Sequence, residues 1–127
     1  MKMLTAVIAF ILLSVSAMAQ NKGADNGNAL LRGCNIELRP HGPFTLVETS
    51  QSGYCRGLIK GINDVFLLYE PGIACVPDEV TLRQNVRIVV KYLNDHPEEL
   101  HIQDSLLVIR ALSKAYPCKR ATKGGAK

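Results

Sequence analysis

The chain has no tryptophan, and aromatic residues make up only 6% of its 127 positions. No stripe of lysine and arginine with interleaved aromatics runs through it, which excludes the electrostatic footprint of a nucleic-acid partner. Nowhere do polar and apolar residues alternate as in a half-buried strand, so no sheet is expected. No apolar run reaches the ~20 residues that a membrane-spanning helix needs. Internal repeats are absent, and the only low-complexity stretch is the short C-terminal tail. What remains is a chain that reads as helical, with four cysteines at Cys34, Cys55, Cys75 and Cys118.

The first 19 residues read as a secretory signal peptide. Lys2 supplies the positive end, Leu4 to Val15 the apolar stretch, and Ala17-Met18-Ala19 the small-x-small cleavage rule. Cleavage after Ala19 is expected, leaving one domain over residues 20–118, enough for a single core and too little for two. The apolar stretch is too short to span a bilayer, so no membrane attachment is expected after cleavage. No cysteine follows the cleavage site to carry a lipid anchor. The expected location is the bacterial periplasm.

The formal charge of +4 arises from 15 basic and 11 acidic residues. Lys2 leaves with the signal peptide, and Lys119, Arg120, Lys123 and Lys127 lie in a small, polar tail over 119–127 that reads as disordered. The body between them is close to neutral.

Helical spacing and capping residues divide the body into four segments. A first helix starts at Gly27 or Asn28 and runs past Cys34 toward Leu38, and Pro40, Gly42 and Pro43 then force a loop. A second helix is expected from about Gln51 to Tyr69, capped by Thr49, Ser50 or Ser52, with Tyr54, Leu58, Ile62, Val65 and Leu68 or Tyr69 inward. Gly53, Gly57 and Gly61 share one face of it. Each costs about 1 kcal/mol against alanine in a helix, which predicts close approach of another helix or backbone. Asp64 is expected to pair with Lys60, one helical turn earlier.

A third helix is expected from Leu82 to Asn94 behind the cap Thr81-Leu82-Arg83-Gln84, with Leu82, Val86, Val89, Val90 and Leu93 inward. A fourth is expected from Pro97 to Tyr116, with Ile102, Leu106, Ile109, Leu112 or Ala111, and Tyr116 buried. The fold expected is therefore all-α, a four- to five-helix bundle.

In an oxidising compartment four cysteines imply two disulfides, with three possible connectivities. The short link between the third and fourth helices makes them antiparallel neighbours. That returns Cys118 beside Cys75, and Cys34 and Cys55 meet across their own loop in the same way.

The same bridges argue against chemistry. A cysteine nucleophile paired with His41, His96 or His101 would need a free thiolate. His96 and His101 are five apart, not at the four-residue spacing of a helical zinc pair. No catalytic residue, cofactor or metal site is expected. The polar turn carrying Asn94, Asp95, His96, Glu98, Glu99 and His101 is the candidate partner-binding element, because it holds charge between two helices.

Taken in order, Cys55-x-Gly57-x-Ile59-x-Gly61-x-x-Asp64, Cys75-Val76-Pro77 with Thr81-x-x-Gln84, Tyr92-Leu93-x-x-His96-Pro97, and Ala111-Leu112-x-x-Ala115-Tyr116-Pro117-Cys118 resemble the type VI secretion amidase immunity protein family. The resemblance spans Leu30 to Cys118. It implies a small periplasmic helical protein, commonly a homodimer, that blocks a cell-wall amidase effector. It carries over no toxin-contact residue, because those vary with the toxin. The competing class is a periplasmic acid-stress chaperone, also small, helical and disulfide-bearing, which would expose apolar surface reversibly at low pH.

Overall fold

The computed structural model describes residues 25–40 and 42–118. The expected signal peptide, the expected tail and His41 lie outside the described residues. Four α-helices follow one another: α1 (Gly27–Leu38), α2 (Leu46–Leu68), α3 (Leu82–Asp95) and α4 (Asp104–Ala115), with a 3-10 turn at Pro97–Glu99 between the last two. Among the described residues there is no strand beyond one isolated bridge, Asn26 to Gln103.

Each helix start has a local cause. Asn26 caps α1 by accepting from the backbone N–H of Ala29 at 3.1 Å. Thr81 caps α3 by accepting from Gln84 N–H at 3.2 Å, as its sequence spacing predicts. α2 begins five residues before the expected Gln51. Thr45, not Thr49, Ser50 or Ser52, is its cap, because Thr45 and Glu48 form a complete capping box. Thr45 Oγ1 accepts from Glu48 N–H at 3.2 Å while the Glu48 carboxylate accepts from Thr45 N–H at 2.9 Å.

The backbone hydrogen bond from Thr45 and the Arg39 guanidinium hold the Glu48 carboxyl down at about 2. A depressed folded-state pKa gives stability that is present above the ordinary carboxylate range and is lost as pH falls through the folded value. Glu48→Gln is therefore expected to lower the melting temperature at pH 6. It should also shrink the part of the acid-induced loss that falls between pH 4.5 and about 2. Thermal melts of both forms across that range check it; superimposable pH profiles would count against the capping box.

The expected fourth helix is divided. Residues 100–103 belong to no helix, and Gln103, at φ −56° and ψ 131°, is out of the helical region. The reason is tertiary: Leu100 O accepts from Asn28 N–H at 3.2 Å, and Ile102 O accepts from Gly27 N–H at 3.1 Å. These carbonyls satisfy the first orphan donors of α1 instead of continuing a helix. With α4 starting at Asp104, Leu107, Val108, Ala111 and Leu112 turn inward, and Leu106 is exposed.

The core joins Leu30 and Cys34 of α1, Ile59 and Phe66 of α2, Val86, Val89 and Leu93 of α3, and Leu107, Val108 and Leu112 of α4. The inward face of α3 is as expected, with Leu82 and Val90 partly buried at its margin. α2 is rotated from expectation. Cys55, Ile59 and Phe66 are buried, Leu58 and Ile62 are half-buried, and Tyr54, Val65, Leu68 and Tyr69 are exposed. The Cys34–Cys55 bridge fixes that rotation by turning Cys55 toward α1. Both disulfides pair as the antiparallel argument predicts, Cys34–Cys55 and Cys75–Cys118.

The glycine expectation is corrected as well. A Cβ on Gly53, Gly57 or Gly61 would meet nothing within 4 Å, so no described part of the chain approaches that face. Close approach occurs on α1. A Cβ on Gly33 would lie 2.5 Å from the Gln51 carbonyl oxygen of α2, and one on Gly27 would lie 2.9 Å from Leu100 Cα.

Candidate protein-binding site

The turn from Asn94 to His101 joins the antiparallel α3 and α4, and side chains from both helices lock its inner side. Tyr92, on the last full turn of α3, is the centre. His96 stacks on its ring with centroids 4.2 Å apart and planes 16° from parallel. The Tyr92 hydroxyl donates to Glu99 Oε2 at 2.8 Å, and Arg110 of α4 reaches the same carboxylate oxygen at 3.2 Å. The bond from Tyr92, then the guanidinium, hold the Glu99 carboxyl below the usual range. Burial, then the hydrogen bond to Glu99, push the Tyr92 phenol up.

His96 Nδ1 lies 2.8 Å from the Tyr92 carbonyl. A carbonyl only accepts, so Nδ1 carries the proton and donates. Nε2 then presents its lone pair to Lys114 Nζ at 3.4 Å, and the same ammonium stands 5.7 Å above the Tyr92 ring. Asp95 pairs with Lys91 at 2.5 Å, and that hydrogen bond lowers its carboxyl.

The structure thus divides the six sequence-predicted residues. Glu99 and His96 are committed to the inner side. Asn94, Asp95, Glu98 and His101 are exposed. Tyr92, Arg110 and Lys114 hold the turn, and sequence reasoning did not assign them that role. Tyr92 was within reach, since His96 lies four and Glu99 seven residues beyond it; Arg110 and Lys114 required the register of α4 against α3. A groove of about 160 Å³ runs beside the turn, floored by Ile88, Tyr92 and Ala111 and rimmed by Lys91 and Lys114.

Elsewhere Lys60 and Asp64 form the expected local pair, at 2.6 Å. The Tyr54 hydroxyl donates to the buried carboxylate of Asp104 at 2.7 Å. Burial and that carboxylate push the phenol up to about 12. This contact ties α2 to the start of α4.

The four cysteines are consumed in bridges, and among the described residues no cluster of three or more histidine, cysteine, aspartate or glutamate side chains could hold a metal. No described helix is long and apolar enough to cross a membrane. The turn has an exposed polar rim and sits on a four-helix frame in which one disulfide joins α1 to α2 and the other joins Cys75, before α3, to Cys118, after α4. The family model for Rap1a immunity proteins matches residues 26–118, and the chain belongs to that family. No curated protein matches the chain.

Proposed function

We propose that this protein is a periplasmic immunity protein of a type VI secretion system, which binds a cell-wall amidase effector and occludes its substrate cleft. Inhibition then needs no catalytic group, only a complementary surface held rigidly. The observation that carries the reading is the lock of Tyr92, Glu99 and Arg110 behind the turn, which leaves Asn94, Glu98 and His101 outward on a fixed base. Such preorganisation reduces the ordering cost of binding. Export by the N-terminal signal and action as a homodimer belong to the same reading. The chaperone alternative requires a form that opens at low pH, and two bridges oppose it, one joining α1 to α2 and one joining the segment before α3 to the residues after α4.

Expression in the periplasm is expected to protect cells against the cognate amidase. Single His96→Ala, His101→Ala and Asp64→Ala changes should leave protection in place. Asn94→Arg with Glu98→Arg should weaken binding about tenfold, on the order of 1.4 kcal/mol, without lowering the melting temperature, since both side chains are exposed. Glu99 is a poor probe of contact, because its reversal would break the lock itself. Full-strength binding by the folded double variant would remove the turn from the interface and leave the segments 39–47 and 70–80 as the next candidates.

A further inference from the structure

We infer that a cleft at the other end of α3 from the turn binds the free carboxylate end of a short peptide, with Arg56 as the main anchor. The cleft holds about 560 Å³, within the range of small-ligand sites. It is lined by Glu37 at the end of α1, Arg39 and Phe44 of the following loop, Ser52 and Arg56 of α2, and Arg83 at the start of α3. Arg83 and His96 are thirteen residues apart along α3, about 20 Å at 1.5 Å per residue. The cleft is therefore separate from the protein-binding turn.

Charge singles this cleft out. The described residues carry nine basic and eleven acidic side chains, a net −2, yet three of their six arginines line this one cavity. Each guanidinium is held differently. Arg39 pairs with Glu48 at 2.9 Å and stands 4.8 Å over the Phe44 ring. Arg83 donates to the backbone carbonyls of Glu37 and Leu38, at 3.2 and 3.0 Å, and so caps the end of α1. Carbonyls orient a guanidinium without cancelling its charge. The Arg56 guanidinium is 3.6 Å from Glu37 Oε1, beyond hydrogen-bond distance, and its side chain is 57% exposed. Glu37 Oε2 accepts the Ser52 hydroxyl at 2.5 Å. Three guanidiniums against the carboxylates of Glu37 and Glu48 leave one positive charge in surplus.

These groups match the last residue of a peptide. One carboxylate balances the surplus charge, and a guanidinium with its donors free takes both carboxylate oxygens at once. Glu37 Oε1 accepts the N–H of that residue, and the Phe44 ring, 44% exposed, packs its side chain. Inorganic phosphate fits less well, because Glu37 repels its second charge and it offers nothing to cover Phe44. Pro40 and Pro43 restrict the loop that carries Phe44, which reduces the ordering cost of binding. A free carboxylate ends both a protein chain and a cell-wall stem peptide, and the two differ in the hand of the terminal residue.

The test is an amide NMR titration of the secreted, disulfide-intact protein. The probes are N-acetyl-L-alanyl-L-alanine, N-acetyl-D-alanyl-D-alanine, the C-terminal amide of each, and inorganic phosphate. At least one of the two acids should shift the Phe44, Ser52 and Arg56 signals with a Kd on the order of 1 mM, as a ligand of that size allows. Its amide should bind at least about tenfold more weakly, and Arg56→Gln should weaken the acid by a similar factor. That variant should fold normally, since Arg56 is exposed and its ion pair is loose. Arg87→Gln, at an exposed arginine outside the cleft, should change nothing. Preference for the L form assigns the site to the end of a protein chain, and preference for the D form to the cell wall. Equal binding of acid and amide, an equal response to phosphate, or full affinity in Arg56→Gln overturns the proposal. So does the absence of any response to either acid at about ten times the expected Kd. None of these results bears on protection through the turn, which the Asn94 and Glu98 variants test separately.

Discussion

Replacing Cys34 and Cys55 together by alanine is expected to destabilise the protein by about 4 kcal/mol, more than the same replacement of Cys75 and Cys118. Loop closure alone predicts the opposite order. Cys75–Cys118 spans 43 residues and Cys34–Cys55 spans 21. A doubled loop adds only about 0.6 kcal/mol of closure entropy to a term of about 3. Burial decides against it. Cys34 and Cys55 are both 0% exposed and lie in the centre of the core, whereas Cys75 is exposed. Removing two core sulfurs leaves a cavity costing on the order of 1–2 kcal/mol. In a domain of this size the loss corresponds to roughly 15–30 °C in melting temperature. Thermal melts of the two double variants rank the terms; if the Cys75 and Cys118 variant melts lower, chain entropy outweighs burial here.

Gly33→Ala should unfold the protein more readily by about 1–3 kcal/mol, while the same change at Gly53 or Gly61 should stabilise the single chain by about 0.5–1 kcal/mol. One methyl group has opposite signs because of what it meets. At Gly33 it would lie 2.5 Å from the Gln51 carbonyl oxygen and 3.1 Å from its carbon, and that backbone cannot retreat without moving α2 off α1. At Gly53 and Gly61 it meets open space, and alanine only reduces the freedom of the unfolded chain. Melts at concentrations too low for self-association separate the effects. A neutral Gly33→Ala would show that the α1–α2 contact yields easily.

The Gly33 position was not legible from the sequence, and the glycines that did draw notice, four apart on α2, are the open ones. Spacing marks which residues share a helical face but not what lies opposite it. The same limit explains the candidate turn. Its place between two helices, its proline and its acidic start were all visible at Pro97, Glu98 and Glu99. That Glu99 turns inward to Tyr92 and Arg110 while Glu98 turns out was not, because Arg110 comes from the antiparallel neighbour.

By itself, the sequence determined the helical class, the cap at Thr81, the inward face of α3 and both disulfide pairings. These follow from local hydrogen bonding, strong periodicity and the short link that makes α3 and α4 antiparallel. Only the tertiary structure decided the rotation of α2 and the break before α4. On α2, Tyr54, Leu58, Ile62 and Val65 and the series Cys55, Ile59 and Phe66 are both apolar at helical spacing, so periodicity cannot choose between them. The bridge from Cys55 to Cys34 chooses, burying the second series and leaving the first at the edge. At Leu100 and Ile102 the local pattern favours a continuous helix. The unsatisfied N–H groups at the start of α1 take those two carbonyls from it, because a hydrogen bond made across the fold satisfies two groups that a longer helix would have left one short.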